Sequence, residues 1–354
     1  MKIKMKKPEI KINFLYYGTP FDLNKNFFYK LLNKKYKVII SDKPDYVFFS
    51  VYRENNKFLN GDGTSRINKG SKNKKVNFIK KIILKLMKFN KIKSFIWFLR
   101  EKKIIRPYAR ILDVKGNFVK IFYTSEIIKP DMSKCDWAFG PFYESDLNNH
   151  PKYMRIPPYI ISGSNFDLIK RKLDLNKIKK EKIKFCNFLY NNPVPIRNKF
   201  FKRLSKYKHI DSPGRSMNNM PPIGNYKDSD ESRGSKDWMN EKLSFISKYK
   251  FTIAFENSFV SGWITEKLID PMLINSIPIY FGPKDIGKEF NTKSFINFND
   301  FKNVNDFISY IIRVDKDDFL YEKILKEPWL KENKKSIWMD EIRILKRMKE
   351  IFEK

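Results

Sequence analysis

Cysteine and histidine are nearly absent from this chain of 354 residues, with two of each. Cys135 and Cys186 stand far apart inside apolar runs, which excludes a disulfide framework and a thiol metal cluster and points to a reducing compartment. His150 and His209 are isolated and show no ligand spacing, so neither a zinc site nor a Ser-His-Asp arrangement is expected. The 13 glycines build no Walker loop and no GxGxxG turn. Uninterrupted apolar runs of about 18 residues are missing, and the N-terminal KINFLYYG is too short for a signal-peptide core. The expected location is therefore the cytoplasm, with peripheral contact at an inner membrane left open. Acidic residues are also in short supply: 39 Asp and Glu against 73 Lys and Arg leave a formal charge of +34. A nucleic-acid partner, an anionic membrane, or an AT-rich genome that writes lysine on every surface would each produce this excess. Arginine, which reads bases by bidentate contact, is far scarcer than lysine, so nucleic acid is the less expected partner.

What is present is enough apolar material for two cores, 42% hydrophobic and 16% aromatic residues. The stretch from Lys250 to Gly282 organises the chain. Phe251 to Phe255 and Ile277 to Phe281 read as buried strands separated by a helix, a βαβ unit that requires a parallel sheet. Glu256, Asn257 and Ser258 fall at the carboxyl end of the first strand, and Thr265, Glu266 and Lys267 open the helix. Open parallel sheets bind ligands at that edge, where helix N-termini offer free N–H groups to an anion.

Upstream, 11–17, 37–40, 46–51, 118–123, 134–139 and 154–160 read as strands, with a helix from Phe27 to Asn33. The fold expected is α/β, of two Rossmann-like halves: residues 1–165 and 166–335, followed by a basic amphipathic helix over 336–354. The second half begins with a strand over 183–190 and a helix over 196–207. A basic insertion interrupts the first half over about 54–114. Within it Phe78, Ile82, Leu86 and Phe89 recur at helical spacing among lysines, which suits either attachment to an anionic bilayer or packing on the protein's own surface.

Four positions carry candidate chemistry, each with a plain structural rival. Glu126 ends a strand and precedes Ile127 and Ile128, so it sits at a semi-apolar edge where a carboxylate can act as a general base, or it is a solvated turn residue. Arg197 follows NNPVP at a helix start and either joins the helix dipole in holding a pyrophosphate or makes a surface salt bridge. Glu266 and Lys267 either face a ligand or simply favour the first turn of their helix. Asp228 and Asp230 lie in KDSDESRGSKD, which reads as a solvated loop, and no metal is assigned to them.

Three segments together resemble the α-1,3/1,4-fucosyltransferases, particularly the bacterial ones acting on lipopolysaccharide. FTIAFENS with GWITEKLID and SIPIYFG is similar to that family's nucleotide-sugar signature, IFYTSEIIKPDMSKCDWAFG to its second motif, and NNPVPIRNKFF to a third. The likeness runs from about Val119 to Phe301, with a weaker echo in the first 50 residues. It implies a GT-B fold with an acceptor-binding half first and a GDP-fucose half second, an inverting transfer, and no catalytic metal. It further implies Glu126 as the base, Arg197 and Lys267 on the diphosphate, Glu266 on the ribose, and Asn257 and Trp263 near the donor. The partners implied are GDP-fucose and a glycan acceptor containing N-acetylglucosamine or glucose, of O-antigen or capsule type. Three departures stand out: Ser125 replaces a Gly and Ile127 an Asn, which fits a turn shaped for another acceptor, and Trp263 replaces a Tyr, which leaves another GDP-sugar open as donor. A basic nucleic-acid- or membrane-binding protein without catalysis is the alternative from a different class. The insertion after Arg53 has no recognisable counterpart.

Overall fold

The computed structural model describes residues 7–17, 21–52, 57–61, 113–162, 173–223 and 236–353. Most of the expected insertion over 54–114, the half-to-half boundary at 165/166, and Asp228 and Asp230 lie outside these residues.

The first half is a six-stranded sheet: β1 (Glu9–Leu15), β2 (Lys37–Ile40), β3 (Tyr46–Phe49), β4 (Val119–Tyr123), β5 (Trp137–Gly140) and β6 (Tyr153–Arg155). The order is β2-β1-β3-β4-β5-β6, and every neighbouring pair is parallel. Helix α1 (Phe27–Lys35) starts where the Asn26 side chain accepts the Tyr29 N–H, and it buries Phe28, Leu31 and Leu32. The chain leaves β1 toward β2 and returns on the other side as β3, so a crevice opens at the carboxyl ends of β1 and β3. Residues 154–160 do not form one strand: β6 stops at Arg155, and Pro158 begins a single helical turn, α2 (Pro158–Ile161). Proline cannot donate to a ladder, but its fixed φ suits the first helical position.

Helix α3 (Leu175–Glu181) leads into a second, five-stranded sheet. Its strands are β7 (Lys184–Asn187), β8 (Ile210–Asp211), β9 (Tyr249–Phe255), β10 (Ile277–Phe281) and β11 (Ile296–Asn297). They run β11-β10-β9-β7-β8, again all parallel, with a crevice at the carboxyl ends of β7 and β9. The helices are α4 (Pro195–Leu204), α5 (Lys236–Ile246), α6 (Glu266–Leu273), α7 (Val304–Lys316), α8 (Asp318–Lys326) and α9 (Glu341–Phe352). The unit β9-α6-β10 is the βαβ motif expected from Lys250 to Gly282. Helices α5, α7 and α8 were not anticipated, although α7 buries Phe307, Ile311 and Val314 at helical spacing.

The second sheet has its own core of Phe185, Phe200, Phe251, Ile253 and Phe307 among others. The main core of the first sheet is completed from the far end of the chain. Helix α9 brings Ile344, Met348, Ile351 and Phe352 onto it, with the Phe352 ring 4.4 Å from Tyr46 and 5.7 Å from Tyr36. The Tyr36 hydroxyl donates to Glu353 at 2.9 Å and Lys34 pairs with Glu341 at 2.6 Å. The result is two Rossmann-like α/β halves tied together by a returning helix.

Candidate active site between the two sheets

Strand β9 ends in a buried carboxylate. Glu256 is 1% exposed and accepts hydrogen bonds from the Thr265 N–H at 2.9 Å and the Thr265 hydroxyl at 2.7 Å. Burial pushes its carboxyl above the usual range, and Lys267, 3.8 Å away, pulls the other way. Thr265 in turn caps α6, its oxygen accepting the Lys267 N–H at 3.3 Å. Glu256 therefore fixes where the helix begins, and with it Glu266 and Lys267. The Lys267 ammonium lies 3.2 Å from the Thr265 oxygen and 3.3 Å from Glu266. Partial burial works against ionisation of Glu266, but the Lys267 and Lys242 cations outweigh it and hold the carboxyl down at about 2.

Across the crevice, Pro195 opens α4 and places Arg197 in its first turn. Arg197 does not make a surface salt bridge: it is 1% exposed, and among the described residues no carboxylate lies within ion-pair distance of it. Its Nη2 donates to the Phe255 carbonyl at 2.7 Å and to the Asn257 side-chain oxygen, while Nε has no partner among the described residues. The guanidinium stacks on Tyr190, 4.2 Å from the ring centre, and burial pulls it below its ordinary value. Tyr190 holds the end of β9 by accepting the Phe255 N–H at 2.7 Å. A desolvated cation beside two helix N-termini is an arrangement suited to an anion.

The first half contributes Glu126, three residues beyond β4. It is exposed rather than lodged in an apolar edge: Ile127 and Ile128 turn toward a small hydrophobic cluster while the carboxylate faces out. The Tyr52 hydroxyl, from the loop after β3, donates to Glu126 Oε1 at 2.9 Å, and the Glu126 N–H donates to Thr124 Oγ1 at 3.0 Å. Trp263 is 5% exposed, and its indole N–H donates across the crevice to the Ser125 carbonyl at 2.7 Å.

The loop carrying Trp263 is pinned to the first half. Arg155 donates to the Gly262 carbonyl at 2.7 Å and to Glu289 at the same distance, and neither charged side chain is exposed. Gly262 has φ of +74°, and a Cβ there would meet the Pro141 carbonyl at 2.9 Å.

The structure thus joins Arg197 to Asn257 and Lys267 to Glu266, and sets Trp263 against the turn of Glu126. Sequence reasoning gave no role to Glu256, Tyr52, Tyr190 or the pair Arg155 and Glu289. Only Glu256 had a visible signal, a carboxylate directly after the apolar run Ile253–Phe255.

A model described as glycosyltransferase family 10 (fucosyltransferase) C-term matches residues 178–346, and one described as alpha-(1,3)-fucosyltransferase FucT N-terminal domain matches residues 12–95. The second match continues into the segment after Arg53. The chain is 36% identical over 192 residues to a protein of Acanthamoeba polyphaga mimivirus provisionally named a fucosyltransferase, covering 54% of this chain and 28% of that one. It is 30% identical over 246 residues to alpha-(1,3)-fucosyltransferase FucT of Helicobacter pylori, covering 59% and 48%. It therefore spans less than half the length of these curated relatives. A crystal structure of an alpha1,3-fucosyltransferase shares the fold with a TM-score of 0.65 at 23% identity, covering 99% of this chain and 92% of that one. A crystal structure of alpha1,3-fucosyltransferase with GDP-fucose gives 0.64 at 22% identity, covering 100% and 94%. The two parallel sheets are accordingly the two halves of a GT-B fold. With both halves matched in order by models of one family, the chain belongs to glycosyltransferase family 10, the fucosyltransferases.

Proposed function

We propose that the protein transfers fucose from GDP-fucose to a hydroxyl of an N-acetylglucosamine- or glucose-containing glycan of O-antigen or capsule type, with inversion. The observation that carries this reading is the buried Arg197 guanidinium at the β7/β9 crevice, whose Nε has no hydrogen-bond partner and which has no carboxylate at ion-pair distance among the described residues. A charge held this way gains most from a diphosphate. A crystal structure of a relative with GDP-fucose on the same fold supports the choice of donor.

In the reaction, the acceptor oxygen forms a bond to the anomeric carbon on the face opposite the nucleotide. The bond from that carbon to the diphosphate oxygen breaks, and its electron pair leaves with GDP. Glu126 takes the acceptor hydroxyl proton. Arg197, Lys267 and the N-termini of α4 and α6 offset the charge that grows on the diphosphate, so this scheme needs no metal. Glu266 receives the ribose hydroxyls, Asn257 lies near the phosphate or the sugar, and Trp263 meets the donor through its ring, because its N–H is already bonded.

Incubation with GDP-fucose and N-acetyllactosamine or lactose, with and without EDTA, tests the scheme. Transfer that persists in EDTA is expected, and absence of both transfer and GDP-fucose binding removes it. Glu126→Gln should retain GDP binding and lose turnover by about 10²- to 10⁴-fold. Near-normal turnover would clear Glu126 of the role. The Trp at 263 makes a donor panel including GDP-mannose worthwhile, and preference for another sugar would keep the site and change the substrate. Among the described residues no helix is long and apolar enough to cross a membrane. The basic amphipathic pattern from Phe78 to Phe98 supports peripheral attachment to anionic lipid, which co-sedimentation with phosphatidylglycerol vesicles checks.

A further inference from the structure

We propose that Trp263 is a positioning residue that sets the Glu126 turn against the donor half; this rests on the reading of Glu126 as base and deepens it. An indole N–H can only donate, and a buried one needs an acceptor. Here the acceptor is the Ser125 backbone carbonyl at 2.7 Å, one residue before Glu126 and on the opposite half of the molecule. Because the bond goes to the backbone, it holds the turn whatever side chain stands at 125.

The loop that presents the indole is itself fixed at several points. Gly262 is bonded to Arg155, the Ser261 hydroxyl donates to Asp285, and the Trp263 backbone N–H donates to the Val260 carbonyl at 3.1 Å. Two residues further on, Thr265 is locked onto Glu256. The indole is therefore a rigid peg on the loop that ends at Thr265, the cap of the helix carrying Lys267.

The Glu126 turn has lighter restraints of its own. Its backbone bonds stay within the first half, Thr124 N–H to the Phe139 carbonyl at 3.3 Å, Glu126 N–H to the Thr124 hydroxyl and Ile128 N–H to the Glu126 carbonyl at 2.8 Å, and the exposed side chain is held by Tyr52. Bonds within one half shape a turn but do not locate it relative to a partner on the other half. The Trp263 bond does, and a displacement of about 1 Å at a reacting group can cost about 100-fold in rate. A further consequence is coupling: whatever orders the donor loop also orders residues 124–128.

Trp263→Phe keeps an aromatic face and removes the pyrrole part of the indole with its N–H. With GDP-fucose and N-acetyllactosamine, kcat should fall about tenfold or more, while KM for GDP-fucose and Kd for GDP stay within about twofold. Amide hydrogen exchange over 124–128 should be faster in Trp263→Phe than in the ligand-free parent protein, with exchange in α6 unchanged. In the parent protein, GDP should slow exchange over 124–128. Unchanged kcat, a GDP affinity that falls in parallel with kcat, or exchange over 124–128 that ignores both the substitution and GDP would each overturn the proposal. Should Trp263→Phe fail to fold, Trp263→Tyr and the GDP-dependent exchange of the parent protein decide it. A parent protein that transfers no fucose defeats the reaction scheme, while the exchange comparison still judges the peg.

Discussion

Arg155 and Glu289 meet at 2.7 Å with neither side chain exposed, one at the last residue of β6 and the other beyond β10. The guanidinium lies 4.3 Å from the Tyr143 ring centre and 4.6 Å from that of Trp338, and it also donates to the Pro141 carbonyl at 2.9 Å. The carboxylate accepts from the Tyr159 hydroxyl at 2.6 Å. This cluster clamps the Trp263 loop to the first half.

Removing one member of the pair strands the other as a buried charge. Glu289→Ala should lower unfolding free energy by about 3–5 kcal/mol in urea titration. Arg155→Met combined with Glu289→Leu should cost less than Glu289→Ala alone, since no charge is then left without a counterpart. Equal losses would mean that burial of the pair is not what matters.

Gly262→Ala forces a side chain into a left-handed backbone and against the Pro141 carbonyl. The expected cost is about 1–3 kcal/mol, read as a drop in thermal midpoint, with kcat falling as the loop shifts. An unchanged midpoint would show that the loop relaxes freely.

Tyr52→Phe removes the hydroxyl that orients Glu126 without emptying space. Turnover should fall by about three- to tenfold at constant GDP affinity, the size expected for loss of one orienting hydrogen bond. Calorimetry with GDP beside steady-state rates separates this from damage to the donor half.

Glu266 predicts an acid-side dependence. Its carboxyl titrates at about 2 in the folded protein against an ordinary 4.5, so the unfolded chain binds more protons between those values. The stability contributed by the ionised group is complete above about 4.5 and drains away as pH falls toward 2. The gap between parent protein and Glu266→Gln should be widest near neutrality and narrow steadily below pH 4.5. The side chain is 33% exposed, so solvent screens part of the effect.

Much of the scaffold could be read from apolar spacing, because short apolar runs between turn residues announce strands. Lys37–Ile40 and the strand, helix and strand from 249 to 281 appear where the pattern places them. The site was less legible. Arg197 is spelled like any surface charge, and only its seat between the end of β9 and the Tyr190 ring takes it out of water. Glu126 went the other way: its apolar neighbours suggested a sheltered edge, yet the turn sends Ile127 and Ile128 inward and the carboxylate out. Arg155 and Glu289 are 134 positions apart, and no local rule pairs residues at that distance.

Helix α9 supplies Phe352 beneath Tyr46 and Tyr36, on a sheet whose last strand ends at Arg155. A ribosome releases those closing side chains long after β6 has emerged, so the nascent first half waits with an uncovered aromatic floor. Such a chain should acquire protease resistance in one late step instead of domain by domain, and heating should melt both halves together.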